Sequence, residues 1–187
     1  HGGSDVPRGP YTIGQLAADA TALLSSLEIP RTHFVGISMG GAVAQQVALD
    51  APERIASLTL IDTTGGYDHA DAKVFLERAA YAREHGMKTL ANGTLERWLG
   101  ERFRKRHPEK AERIRALVAR AHPEGFAASC EALAAFDLRP RLAEIEAPTL
   151  VLVGENDPST PPAVARRLAS GIAGARLEIV PDAAHLS

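Results

Sequence analysis

His33-Phe34-Val35-Gly36-Ile37-Ser38-Met39-Gly40-Gly41 is a short apolar run that breaks into glycines and passes directly into a helical pattern. A serine at such a strand-to-helix turn is lifted above the edge of its sheet, where its hydroxyl is exposed. The crowded backbone is expected to tolerate only tiny side chains two residues before and two residues after, at Gly36 and Gly40. The helix that follows would direct its positive end, and the Met39 amide, at an oxyanion formed over Ser38. Ser38 is therefore the candidate nucleophile. A bare Gly-x-Ser-x-Gly arises by chance in roughly one chain in twenty of this length, so the weight falls on its surroundings.

Upstream, Leu16, Ala20, Leu23, Leu24 and Leu27 repeat at helical spacing, with Pro30 just beyond the end. Downstream, a helix rich in small residues (Gly40, Gly41, Ala42, Ala44, Ala48) runs to about Asp50 and is stopped by Pro52. Ser57-Leu58-Thr59-Leu60-Ile61-Asp62 is a second strand candidate, ending in Thr63-Thr64-Gly65-Gly66. Helix, strand, helix, strand implies a parallel sheet with right-handed crossovers. Residues 67–137 break that rhythm, with helical patterns over 71–85, 87–100, 108–121 and 124–136 and no strand between them. The alternation resumes at Thr149-Leu150-Val151-Leu152-Val153-Gly154, a run of the kind covered on both faces. A helix over 162–170 and a strand over 175–180 follow, closed by Pro181. The expected organisation is an α/β core in residues 1–66 and 138–187, interrupted by an all-helical insertion in residues 67–137.

At 187 residues, 45% hydrophobic and 24% charged, the chain can bury an ordinary globular core. A net charge of -2 leaves no electrostatic footprint for nucleic acid. No apolar run reaches the length of a membrane span, and the first residues carry no charged-then-apolar signal pattern. The lone Cys130 cannot form an internal disulfide, so a cytoplasmic protein is expected. There is no P-loop, Rossmann glycine pattern or Cys/His cluster at metal-ligand spacing, so neither cofactor nor metal is implied.

A serine nucleophile needs a base, and the base needs an orienting carboxylate. Both belong at the same end of the sheet, just after later strands. Asp157 follows strand 149–153 and His185 follows strand 175–180, in the order Ser, Asp, His. Asp62 also follows a strand and is the main rival to Asp157. Glu155 is expected to point to the opposite side or to cap the turn. His69, His85, His107 and His122 read as loop histidines, and Cys130 as packing. Seven of the nine aromatic residues lie in 67–137, most of them as the core of that segment. Trp98 and Phe103 are the candidates for a pocket wall. Arg102-Phe103-Arg104-Lys105-Arg106-His107 reads as a solvated helix end, although a cation there facing the pocket would favour a carboxylate-bearing substrate.

Gly36-Ile37-Ser38-Met39-Gly40-Gly41, Gly154-Glu155-Asn156-Asp157 with Pro161, and Pro181-Asp182-Ala183-Ala184-His185 together resemble the α/β-hydrolase superfamily. The opening HGGSDVPRGPYT, the segment LERWLGERF, and CEALAAFDLRPRLAEIEAPTLVLVGENDPSTPP narrow the resemblance to the 3-oxoadipate enol-lactonases. The resemblance implies a Ser38-His185-Asp157 triad, a helical cap in which Trp98 lines the pocket, and hydrolysis of a small lactone in aromatic-compound catabolism. A carboxylesterase or perhydrolase on the same fold is the first alternative, and a non-catalytic or inactive fragment the second. The family's sheet has eight strands, of which about four are represented here. The chain is thus expected to be a fragment truncated at both ends, lacking the first strands, the loop with the second oxyanion donor and the final helix. The Ser38 strand would keep one bare edge.

Overall fold

The computed structural model describes residues 2–187. The apolar runs form four strands, β1 (Thr32–Ile37), β2 (Ile55–Ile61), β3 (Thr149–Gly154) and β4 (Arg176–Val180). Eight α-helices accompany them among the described residues: α1 (Ile13–Ser26), α2 (Met39–Asp50), α3 (His69–His85), α4 (Met87–Trp98), α5 (Glu101–Arg106), α6 (Pro108–Ala119), α7 (Pro123–Ala135) and α8 (Pro162–Gly171). The strands pair in parallel in the order β1-β2-β3-β4. Ile37 pairs with Ile61, Ile61 with Leu152, and Leu152 with Glu178, so the carboxyl ends of all four strands share one edge.

The chain divides into two compact units, an α/β unit of Ile13–Gly66 with Phe136–Ser187 and a helical unit of residues 2–12 with Tyr67–Ala135. In the α/β unit α2 packs on β1 and β2, α1 packs on α2, and α8 packs on β3 and β4. Ala17, Val47, Leu58, Leu60, Val151, Val153 and Leu168 meet in one buried cluster. These helices therefore serve the same face of the sheet. The expectation that β3 is covered on both faces is not met within this unit: Val151 and Val153 are fully buried, whereas Leu150 and Leu152 are half-buried. A continuous apolar run looks the same in either case, because hydrophobicity alone does not say which face receives the helices. β1 lies at an edge of the sheet and alternates, with Phe34 half-buried and Val35 and Ile37 62% and 38% exposed.

β2 starts two residues before the expected Ser57. Pro52–Arg54 forms a single 3-10 turn, and Ile55, 1% exposed, already belongs to the strand.

In the helical unit α3 packs along α7 and α4 along α6. α3 begins with Asp68, whose carboxylate accepts the Asp71 N–H (3.1 Å), and ends at Gly86, whose φ of 74° suits glycine. The Arg83 guanidinium of α3 bridges Glu124 and Glu131 of α7. The unit's interior is small and helical: Ala82, Met87, Ala91 and Val118 form one cluster, and Ala79, Ala127 and Cys130 another. The pattern expected over 87–100 stops at Trp98, and the basic run forms its own short helix, α5, in which Lys105 pairs with Glu101 (2.5 Å).

Candidate active site

Ser38 stands between β1 and α2 with φ 52° and ψ -116°, a conformation that L-residues rarely adopt. Strain of this kind costs on the order of 1–3 kcal/mol and needs a surrounding framework that enforces it. The Ser38 N–H donates to the Ile61 carbonyl (2.9 Å), continuing the β1–β2 ladder. Its carbonyl accepts the Gly41 N–H (2.9 Å) and the Thr63 hydroxyl (2.7 Å).

Of the two positions expected to be crowded at the turn, Gly36 is and Gly40 is not. A Cβ on Gly36 would lie 2.2 Å from the Gly40 carbonyl oxygen, so glycine is required there. A Cβ on Gly40 would meet nothing within 4 Å; the second close approach is at Gly41, where it would lie 2.6 Å from the Thr63 side chain. The backbone of residue 40 is the obstacle to Gly36, while its own missing side chain would point into open space.

His185 follows β4 and Asp157 follows β3, and both are buried, 4% and 2% exposed. The Ser38 hydroxyl donates to His185 Nε2 (2.9 Å), and His185 Nδ1–H donates to Asp157 Oδ2 (2.8 Å). A carboxylate accepts only, which places the proton on Nδ1 and leaves Nε2 as the acceptor facing Ser38. Asp157 is held in turn by the Thr160 hydroxyl on Oδ2 (2.7 Å) and by the amides of Ser159 (2.7 Å) and Thr160 (3.1 Å) on Oδ1. Burial pushes the Asp157 carboxyl up, but the hydrogen bonds from His185, Thr160 and Ser159 together outweigh it and hold the group below its usual range. It is thus ionised and fixed beside the imidazole at neutral pH.

The rival carboxylates are occupied elsewhere. Asp62 is fully buried, but its Oδ1 accepts the Gly154 N–H (2.9 Å) and its Oδ2 the Ser187 N–H (3.0 Å). Burial raises its carboxyl above the usual range, only partly offset by those amides. Glu155 accepts the Asp182 N–H (3.2 Å) and so ties two loops together at the surface. Met39 and Gly40 open α2, where the first amides have no acceptor within the helix.

In the helical unit Trp98 is half-buried against the Ala82, Met87, Ala91 and Val118 cluster. Phe103 is 37% exposed, its ring 4.8 Å from that of His107. Among the described residues no group of three or more His, Cys, Asp or Glu is placed to hold a metal ion, and no helix is long and apolar enough to cross a membrane.

Three contributors escape a search for reactive residue types. Gly154 is one: a Cβ there would lie 2.1 Å from the Ala184 carbonyl oxygen, so the His185 loop crosses directly over this glycine. Thr160, three residues after Asp157, and Thr63, two residues beyond the end of β2, are the others. Their signals in sequence are weak, a glycine that ends a strand and threonines in turns.

A family model described as the alpha/beta hydrolase fold matches residues 1–187. The 3-oxoadipate enol-lactonase 2 of Acinetobacter baylyi is 39% identical over 187 residues, the whole of this chain and 69% of that protein. Among solved structures, the enol-lactonase from Burkholderia xenovorans LB400 aligns with a TM-score of 0.96 and 40% identity, covering 100% of this chain and 71% of that one. A thermophilic esterase from Thermogutta terrifontis gives 0.92 and 32% identity, covering 98% of this chain and 69% of the esterase. A parallel sheet with Ser38 at a strained turn, and a family match along the whole chain, lead to one conclusion: the chain belongs to the alpha/beta hydrolase fold family.

Proposed function

We propose that this chain is a serine hydrolase of small lactones or esters, and that its substrate is an enol-lactone of the 3-oxoadipate type, met in the breakdown of aromatic compounds in the cytoplasm. The observation that carries the reading is the buried hydrogen-bonded row from Asp157 through His185 to Ser38. The similarity to two enol-lactonases at 39% and 40% identity supports the substrate class.

His185 Nε2 takes the Ser38 proton as the hydroxyl oxygen attacks the lactone carbonyl, and Asp157 stabilises the imidazolium that forms. The Met39 amide donates to the tetrahedral oxyanion, aided by the positive end of α2. Collapse breaks the ring C–O bond and releases an enol, protonated from His185, which remains tethered through the acyl group and relaxes to a ketone. The enol oxygen is less basic than a simple alkoxide and so leaves more easily, and the later relaxation to the ketone makes the ring opening irreversible. Water, deprotonated by His185, then attacks the acyl-serine and frees the dicarboxylate. Trp98 and Phe103 are the residues of the helical unit that would contact the substrate.

Ser38→Ala should abolish turnover with an unchanged circular dichroism spectrum; turnover near wild type would refute the nucleophile. Turnover of the enol-lactone is expected to exceed that of simple aryl esters. The reverse preference would identify a general carboxylesterase with the same row of residues.

A further inference from the structure

The three residues of the row come from three separate loops, and a parallel sheet alone delivers strand ends to one edge without fixing the loops beyond them. One turn touches all three. The Asp62 carboxylate accepts the amide of Gly154 at the start of the Asp157 loop (2.9 Å) and the amide of Ser187, two residues after His185 (3.0 Å). The neighbouring Thr63 hydroxyl donates to the Ser38 carbonyl (2.7 Å), and its methyl lies in the space that the missing Gly41 side chain leaves. The Thr64 carbonyl accepts from Gln45 Nε2 (3.0 Å), which also binds the Gly41 carbonyl (3.0 Å), so the first turn of α2 is fastened to the same segment.

We infer that the Asp62-Thr63 turn, which supplies no reacting group, is the positioning element that sets the mutual geometry of Ser38, Asp157 and His185. The inference rests on the hydrolase reading above. Its physical basis is the residue types used. Asp62 is fully buried and its backbone is in the left-handed region (φ 47°), two features costly for an aspartate. A buried carboxylate is justified here because one side chain must accept two amides from different loops at once, and a neutral amide side chain would turn its NH2 toward one of those donors. Thr63 likewise combines a donor for Ser38 with a methyl of fixed direction, which neither valine nor alanine supplies.

The test compares Asp62→Asn, Thr63→Val and Thr63→Ser in the otherwise unaltered protein. The readouts are kcat and KM for an aryl acetate, the rate at which a fluorophosphonate labels Ser38, and Tm. Misplacement of a reacting group by about 1 Å costs roughly a hundredfold in rate, so partial loosening should lower kcat and labelling roughly tenfold or more in Asp62→Asn and Thr63→Val. KM should stay within about twofold, since ground-state binding does not depend on these bonds. Thr63→Ser, which keeps the hydroxyl, should recover most of the loss at a Tm close to that of Thr63→Val. The inference is overturned if folded Asp62→Asn and Thr63→Val label and turn over as fast as wild type, or if Thr63→Ser is no faster than Thr63→Val. Should Asp62→Asn fail to fold, the two Thr63 variants decide alone. Failure of wild type itself to be labelled at Ser38 would instead refute the hydrolase reading.

Discussion

Gly154→Ala gives the most direct measure of how finely the His185 loop must be placed. The added methyl would sit 2.1 Å from the Ala184 carbonyl oxygen and 2.7 Å from that of Ala183. The first distance falls about 1.3 Å short of the 3.4 Å at which ordinary contact begins, and both obstacles are backbone atoms that cannot rotate aside. The loop carrying His185 must therefore lift by roughly an ångström, which lengthens the 2.9 Å contact between Ser38 and His185 beyond hydrogen-bonding reach. A displacement of that size predicts a fall in kcat of about a hundredfold, with KM little changed. Crowding of this kind also costs about 1–3 kcal/mol of stability, less than most domains possess, so the variant should still fold. The assay is steady-state hydrolysis of an aryl acetate, with urea unfolding followed in parallel. A folded Gly154→Ala protein with wild-type kcat would refute the claim that the close crossing of the two loops sets the chemistry.

Other consequences can be checked independently. Thr160→Val removes a donor from ionised Asp157 and should cost about 1.5–3 kcal/mol in urea unfolding at pH 7. Because the folded Asp157 pKa is depressed, its stabilising effect is full above the unfolded pKa and is lost as pH falls through the folded one. The gap between Thr160→Val and wild type should therefore narrow below about pH 4. Leu60→Ala empties a fully buried site between α2 and the sheet and should cost about 2–5 kcal/mol, whereas Val35→Thr, at a position 62% exposed, should stay within about 0.5 kcal/mol. The Cys130 thiol is buried and pushed up to about 12, chiefly by desolvation, so iodoacetamide at pH 8 should modify it only after unfolding; rapid labelling of the native protein would contradict the packing described for α7.

Much of this architecture is legible in sequence because the physics behind it is local. A Gly-x-Ser-x-Gly motif between an apolar run and a helix leaves few alternatives for the backbone, and an acid and a histidine after later parallel strands must share the serine's edge. Local reasoning stops where two candidates obey the same rule. Asp62 and Asp157 both follow strands, and only the identity of their donors separates them: Asp62 accepts the amides of Gly154 and Ser187, whereas Asp157 accepts the imidazole N–H of His185. Gly40 and Gly41 are adjacent and chemically identical, yet only Gly41 faces an obstacle, the Thr63 side chain, which lies twenty-two residues further along. The half-coverage of β3 is equally invisible, since Leu150 and Val151 differ in burial but scarcely in hydrophobicity.

Ser38 and His185 are separated by 147 residues in sequence and lie 2.9 Å apart in space. Contacts of such long sequence separation carry the largest loop-closure entropy. Under the proposed mechanism the Ser38 hydroxyl meets its base only once that long-range contact has formed. If the proposed mechanism holds, turnover requires β4 and the loop after it to be in place, and the fraction of molecules labelled at Ser38 by a fluorophosphonate would gauge how many have completed the fold.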